Sequence, residues 1–222
     1  MTHVSGEIGA HLLMRVGVFT FHLDTIIMTW IVMALLVIVA VVARRIMRDV
    51  PAGLQNVVEY GVEALWGLVA DNVPPKARGC FPVIATLFLF ILASNLIGVV
   101  PGMKSPTADI NVTLALAAVV LGLTIYAGAS VKGVWGYIAG FVKPNPLFLP
   151  LNLIELCTRA ITLALRLFGN IFAGDVLVII LGRLVAYAVP AVGQAFHVFV
   201  GVLQAYLFVM LSIAYVSVAA ED

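Results

Sequence analysis

The run Leu163-Ala164-Leu165-Arg166-Leu167-Phe168-Gly169-Asn170-Ile171-Phe172-Ala173-Gly174-Asp175 lies in an interval, Leu151 to Val189, that holds no proline and is apolar almost throughout. After Pro190 a second proline-free interval runs from Ala191 to Ala220. As helices the two would be roughly 58 Å and roughly 45 Å long, at about 1.5 Å per residue. A bilayer's hydrocarbon core is about 30 Å thick. Both intervals overrun an upright span, so a steeply slanted helical hairpin turning at Pro190 is expected.

The rest of the chain agrees with a membrane setting. Of its 222 residues 63% are hydrophobic and only 10% charged, against about 25% charged in a soluble domain. The apolar residues come in long runs, as in bilayer-spanning helices. A net charge of +1 gives no electrostatic case for a nucleic-acid partner. Cys80 and Cys157 form neither a CxxC pair nor a disulfide framework and read as small buried hydrophobes. Met1 to Val16 lacks the basic, apolar and small-residue order of a signal peptide, so insertion of the whole chain is expected.

A first span runs from about Asp24 to Val42 and stops at Arg44, Arg45 and Arg48, which marks its cytoplasmic end and puts the N-terminus outside. From Pro51 to about Val73 the pattern is helical but too polar to span. Leu54, Val57, Val58, Gly61, Leu65 and Leu68 share one face, while Gln55, Glu59 and Glu63 occupy others. Lys76 and Arg78 precede a second span, Cys80 to about Val100, that ends at Pro101-Gly102. A third runs from about Ile110 to Ser130, followed by Lys132, Lys143 and a Gly- and Pro-containing stretch, Val131 to Pro150, that reads as a cytoplasmic loop. Arg15, Lys104 and Arg183 fall outside. The expected class is all-α and polytopic: about five crossings, one amphipathic helix and a cytoplasmic C-terminus. No internal repeat is visible, which weighs against most secondary-transporter folds.

Ionisable groups inside hydrocarbon are functional candidates, because each is costly to place there. The hairpin holds Arg166, Asp175 and His197, with Asn170, Gln194 and Gln204 near them. Arg166 has no acid within one helical turn. A guanidinium does not give up its proton in a protein, so Arg166 cannot relay protons. It can hold a carboxylate ionised and repel a passing cation. Asp175 and His197 both titrate and are suited to passing protons along a polar path. Asn170 follows Arg166 by four residues and shares its face, whereas Asp175 is about 180° round and roughly 13 Å further on. On the second helix Gln194, His197, Gly201 and Gln204 step by three, four and three, forming one polar and small-residue stripe. Taken alone each residue also has a structural reading: a static ion pair for Arg166, a packing residue for His197, a helix kink for Asp175.

The run Leu165 to Asp175 closely resembles the signature of subunit a of bacterial F-type ATP synthases. Four further stretches are similar to that family: Pro150-Leu151-Asn152-Leu153-Ile154-Glu155, Phe81 to Gly98, Ser105-Pro106-Thr107-Ala108-Asp109-Ile110-Asn111-Val112-Thr113, and Gln204-Ala205-Tyr206-Leu207-Phe208. The resemblance implies a stator subunit of the F0 sector in the inner membrane, itself non-catalytic and without a cofactor. Its expected partners are the c-ring, whose carboxylate would face Arg166, the b subunits of the peripheral stalk, the F1 sector indirectly, and lipid. Arg166 would separate two aqueous half-channels for protons or Na⁺. Asp175, His197, Asn170 and Gln204 would belong to the outer one, with Asp109 and Asn111 near its lining. Glu155 and Thr162 would belong to the cytoplasmic one. The chain departs from the common pattern at Ala160, where many members have proline, and at Asp175, where Glu is common.

Two other classes remain open on residues alone. An intramembrane lipid-modifying enzyme would use Asp175 and His197 as a catalytic pair, but no clustered acids, metal constellation or nucleophile arrangement accompanies them. A secondary transporter would leave Arg166 unexplained.

Overall fold

The computed structural model describes residues 13–16, 19–46, 54–100, 103–142, 146–184 and 188–221. Arg48, Pro51, Pro101-Gly102, Lys143 and Asp222 lie outside the described residues, as does the side chain of Arg183. Six α-helices carry the chain: α1 Leu23–Ile46, α2 Leu54–Asn72, α3 Phe81–Gly98, α4 Ile110–Val142, α5 Leu149–Leu184 and α6 Ala188–Ala220. Five of them, all but α2, include segments long and apolar enough to cross a membrane. The all-α expectation holds for this body. One small addition precedes it, an antiparallel pairing of β1 (Leu13–Val16) with β2 (Phe19–His22), in which Leu13 faces His22 and Val16 faces Phe19.

The core forms where helical periodicity aligns apolar side chains. Ile84, Leu87 and Ile91 of α3, Leu163, Leu167 and Ile171 of α5, and Phe208, Val209, Ile213 and Val216 of α6 bury together with Val120, Leu123 and Ala127 of α4. Apart from the adjacent Phe208 and Val209, each set recurs at three- or four-residue steps, the spacing of one helix face. α5 and α6 make the most extensive of the helix pairings, with α4 packed against both and α3 against α6. α1 is peripheral: Val32 is its one fully buried apolar residue among those described.

α2 lays Leu65 and Val69 into this core, followed just past its end by Val73, and leaves Tyr60 exposed. Its polar character thus fits a helix packed on the bundle. Arg78 closes its C-terminus, donating from Nη2 to the Ala70 carbonyl at 2.7 Å and from Nε to the Val73 carbonyl at 3.1 Å. The Ala70 carbonyl is one that the helix end leaves without an intrahelical partner. Ser217 of α6 donates to the Asn72 carbonyl at 2.6 Å and ties the two helices together.

Three expectations are corrected. Cys157, read with Cys80 as buried, is exposed on α5. The segment Val131 to Pro150, read as a loop, is largely helical: α4 runs on to Val142, broken at Gly133, and a 3-10 turn spans Pro146–Phe148. Gly133 has φ 75° and ψ 158°, backbone that glycine adopts without a Cβ clash. The break returns Tyr137 over Gly128, where a Cβ would lie 2.3 Å from its ring. The turn expected at Pro190 lies earlier, because α6 begins at Ala188. Pro190 sits in the first helical turn, where its missing N–H removes no intrahelical bond.

Candidate functional site

α5 is two-faced around the signature run. Leu163, Ala164, Leu167, Ile171 and Gly174 are buried, and on the other side Thr158, Thr162, Leu165, Arg166, Asn170 and Ala173 are exposed. Arg166 therefore points away from its own bundle. Among the described residues no carboxylate comes within salt-bridge distance of its guanidinium.

One turn on, Asn170 Nδ2 donates to Gln204 Oε1 of α6 at 2.7 Å. Gln204 is 1% exposed, and its Nε2 has no partner among the described residues. Further along the same interface His197 Nδ1 lies 3.6 Å from Asp175 Oδ1. That is ion-pair range but too long for a direct hydrogen bond. His197 is 2% exposed, and its Nε2 also lacks a partner among the described residues. Gly174 makes room for the ring: a Cβ there would sit 2.9 Å from His197 Cδ2. The hairpin thus joins Asn170 to Gln204 and places Asp175 beside His197.

The other two members of the α6 stripe turn to α3. Gln194 Nε2 donates to the Val99 carbonyl at 2.7 Å, and Asn95 Nδ2 donates to the Gly201 carbonyl at 2.9 Å. Asn95 accepts in turn from Thr107 Oγ1 at 2.7 Å. Thr107 and Ser105 share a hydroxyl contact of 2.6 Å, and Ser105 donates to the Ser94 carbonyl at 3.0 Å. Sequence reasoning gave these residues no role. The available signal was a set of polar residues closing an apolar span, each needing a partner if buried.

Asp109 is 5% exposed and fully engaged. Its Oδ2 meets His22 Nδ1 at 2.6 Å and accepts from Thr25 Oγ1 at 3.0 Å, while Oδ1 accepts from the N–H and Nδ2 of Asn111 at 2.9 and 3.0 Å. Burial pushes its carboxyl up, but these hydrogen bonds and the neighbouring His22 outweigh it and hold Asp109 below its ordinary value. The four residues stand at one end of a cavity of about 500 Å³ between α1, α3 and α4. None of these bonds reaches Asp175 or His197. Beside them Lys104 pairs with Asp24 at 3.1 Å.

At the other end of the bundle Glu155 pairs with Arg159, whose guanidinium lies 5.6 Å from the Tyr215 ring centre. Glu155 borders a cavity of about 220 Å³ with Lys132, Tyr137 and Asn152. Thr162 is exposed on the Arg166 face, one turn before it. Glu155 and Thr162 are two turns apart and make no direct contact.

Comparison with known proteins identifies the family. The ATP synthase A chain family model matches residues 26–217. ATP synthase subunit a of Moorella thermoacetica is 37% identical over 203 residues, covering 89% of this chain and 93% of that one. Subunit a of Oceanobacillus iheyensis is 38% identical, covering 88% and 89% of the two chains. Subunit a 1 of Syntrophotalea carbinolica is 39% identical, covering 87% and 84%. With five apolar helices of crossing length, the chain is a multi-pass membrane protein, and it belongs to the ATP synthase A chain (subunit a) family.

Proposed function

We propose that this chain is the ion-conducting stator subunit of the F0 sector, and that Arg166 gates the ion path. The observation that carries the reading is an outward guanidinium, with no carboxylate in salt-bridge range among the described residues, on a helix that Asn170 and Asp175 join to a polar α6. An arginine in hydrocarbon without an anion costs about 2.5–3.5 kcal/mol on insertion scales. A carboxylate brought by a neighbouring c-ring would offset that cost. Thr158, Thr162, Gly169 and Ala173 surround Arg166 on the same side with small side chains, which lets another helix approach closely.

In this reading Asp175, His197, Asn170 and Gln204 form the inner part of the outer half-channel, and Asp109 with Asn111 stands nearer its entrance. Glu155 and Thr162 line the cytoplasmic half-channel. An ion bound to a c-ring carboxylate leaves when Arg166 competes for that carboxylate. The fixed positive charge blocks direct leakage between the half-channels. The subunit itself makes and breaks no covalent bond. Its 36-residue α5 and 33-residue α6 would be about 54 and about 50 Å long, so both lie slanted in a 30 Å core. The N-terminus is outside and the C-terminus in the cytoplasm, and the b subunits hold the chain against rotation.

The experiment is copurification of the tagged chain with a ring of small two-helix subunits, followed by ion-driven ATP synthesis in vesicles with wild-type and Arg166→Ala protein. Loss of synthesis with an intact complex is expected. Wild-type synthesis by Arg166→Ala, or a tagged chain that purifies without such a ring, would overturn the reading.

A further inference from the structure

Gln194 and Gly201 bracket His197 along α6, three residues before and four after it. Gln194 is held by the Val99 carbonyl at 2.7 Å, at the C-cap of α3, and Gly201 by the Asn95 amide of α3 at 2.9 Å. We propose that Asn95, held by Thr107, is a positioning residue for the ion path: it fixes the register of α6 and so sets where His197 and Gln204 meet α5. This rests on the reading of Asp175, His197 and Gln204 given above and adds a third element, α3, to the α5 and α6 that carry them.

The chemistry of Asn95 suits the task. It is 1% exposed, and a carboxamide so deeply buried is held by its hydrogen bonds. One end donates to the Gly201 carbonyl, and the other accepts from Thr107, which is fully buried. Thr107 is oriented in turn by Ser105, whose own hydroxyl is anchored on the Ser94 carbonyl. The amide therefore has one rotamer and one partner on α6. Close approach reinforces the bond: a Cβ at Gly201 would lie 3.1 Å from Asn95 Cβ, so glycine is what lets the two helices meet here. Sliding α6 by one residue moves its groups about 1.5 Å along the axis and about 100° round it. That carries His197 out of its place beside Gly174 and Asp175. It also breaks the Asn170–Gln204 bond, so the α3 clamp guards the whole polar line.

The test uses the intact ATP synthase in vesicles and measures ion flux and ATP synthesis across pH. Thr107→Val keeps the shape and removes the hydroxyl, and Thr107→Ser keeps the hydroxyl. Thr107→Val is expected to slow flux about five-fold, the factor associated with one net hydrogen bond, and to move the pH profile toward that of Asp175→Asn. Thr107→Ser restores both. Gly201→Ala, which crowds Asn95 without removing a polar group, shifts the profile in the same sense. An assembled Thr107→Val complex with wild-type rate and profile overturns the proposal. So does loss of both Thr107→Val and Gly201→Ala from the membrane while Thr107→Ser assembles, because the cluster then serves stability alone. A parallel Arg166→Ala sample separates the two levels. If it keeps synthesis, the site reading itself has failed; if it abolishes synthesis while Thr107→Val behaves as wild type, only the role of α3 has.

Discussion

His197 Nδ1 stands 3.6 Å from Asp175 Oδ1 across the α5–α6 interface, close enough for charge to couple them and too far for a direct proton transfer. A single water would close that gap. Both singles, Asp175→Asn and His197→Gln, are expected to slow ion flux, and the double variant to be little worse than the poorer single. Residues coupled at this distance are non-additive, whereas independent ones add in free energy. Vesicle flux measured for the four proteins decides: simple addition would make the two residues separate linings of the path.

The outward guanidinium of Arg166 leads to a different expectation. Lysine keeps the charge, but its compact ammonium lacks the planar fork and loses its proton more readily when desolvated. Arg166→Lys should assemble normally, because the side chain is exposed and makes no ion pair with a carboxylate among the described residues, yet fail to support ion-driven synthesis. Quantifying the complex by blue-native electrophoresis alongside synthesis rates tests both halves. Synthesis at the wild-type rate would remove Arg166 from the gate.

Arg166 stands out in the bare sequence because an arginine without an acid within a turn contradicts its apolar surroundings, and contradictions of that kind are legible. The α6 stripe is legible for a related reason, since Gln194, His197, Gly201 and Gln204 share one helical face. Periodicity gives a face but not what it meets. It could not tell that Gln194 and Gly201 turn to α3 while His197 and Gln204 turn to α5. The Asn95–Thr107 bond was equally hidden, because it joins residues whose proximity depends on how the chain returns between two spans. The loop expected after Ser130 failed on chemistry that sequence handles poorly. One glycine, Gly133, makes the break, and the glycines around it stay helical. The pairing of His22 with Asp109 spans residues far apart in sequence and has no local pattern at all.

Gly174 supplies a prediction about space. An added Cβ would meet His197 Cδ2 at 2.9 Å and Nε2 at 3.1 Å, so the imidazole must move by a few tenths of an ångström. Gly174→Ala should therefore retain part of its flux, whereas Gly174→Val, with two more carbons in the same space, should lose most of it. A cost of about 1–3 kcal/mol is ordinary for overpacking a tight interior. Flux per assembled complex is the measure. Equal flux in all three proteins would mean that the ring has free room and that its present position is unimportant.

Asp109 carries the pH prediction. Its carboxyl is held below the ordinary value of 3.8, because hydrogen bonds from Asn111, His22 and Thr25 together with the charge of His22 outweigh the effect of burial. A carboxylate lowered on folding adds stability that is complete above its unfolded pKa and is lost as pH falls through the folded one. The link to His22 and Thr25 pins the N-terminal end of α1, a helix otherwise weakly buried. Asp109→Asn should thus cost about 2 kcal/mol at neutral pH, typical of a hydrogen bond to a charged group. The gap between wild type and variant should stay constant through mildly acidic pH and narrow only below the ordinary carboxylate value. Thermal unfolding of the complex, scanned against pH for both proteins with His22→Gln as a third, measures that gap. A gap that opens wider as acid is added would show that the native Asp109 holds its proton, and the pin would then be a neutral hydrogen bond.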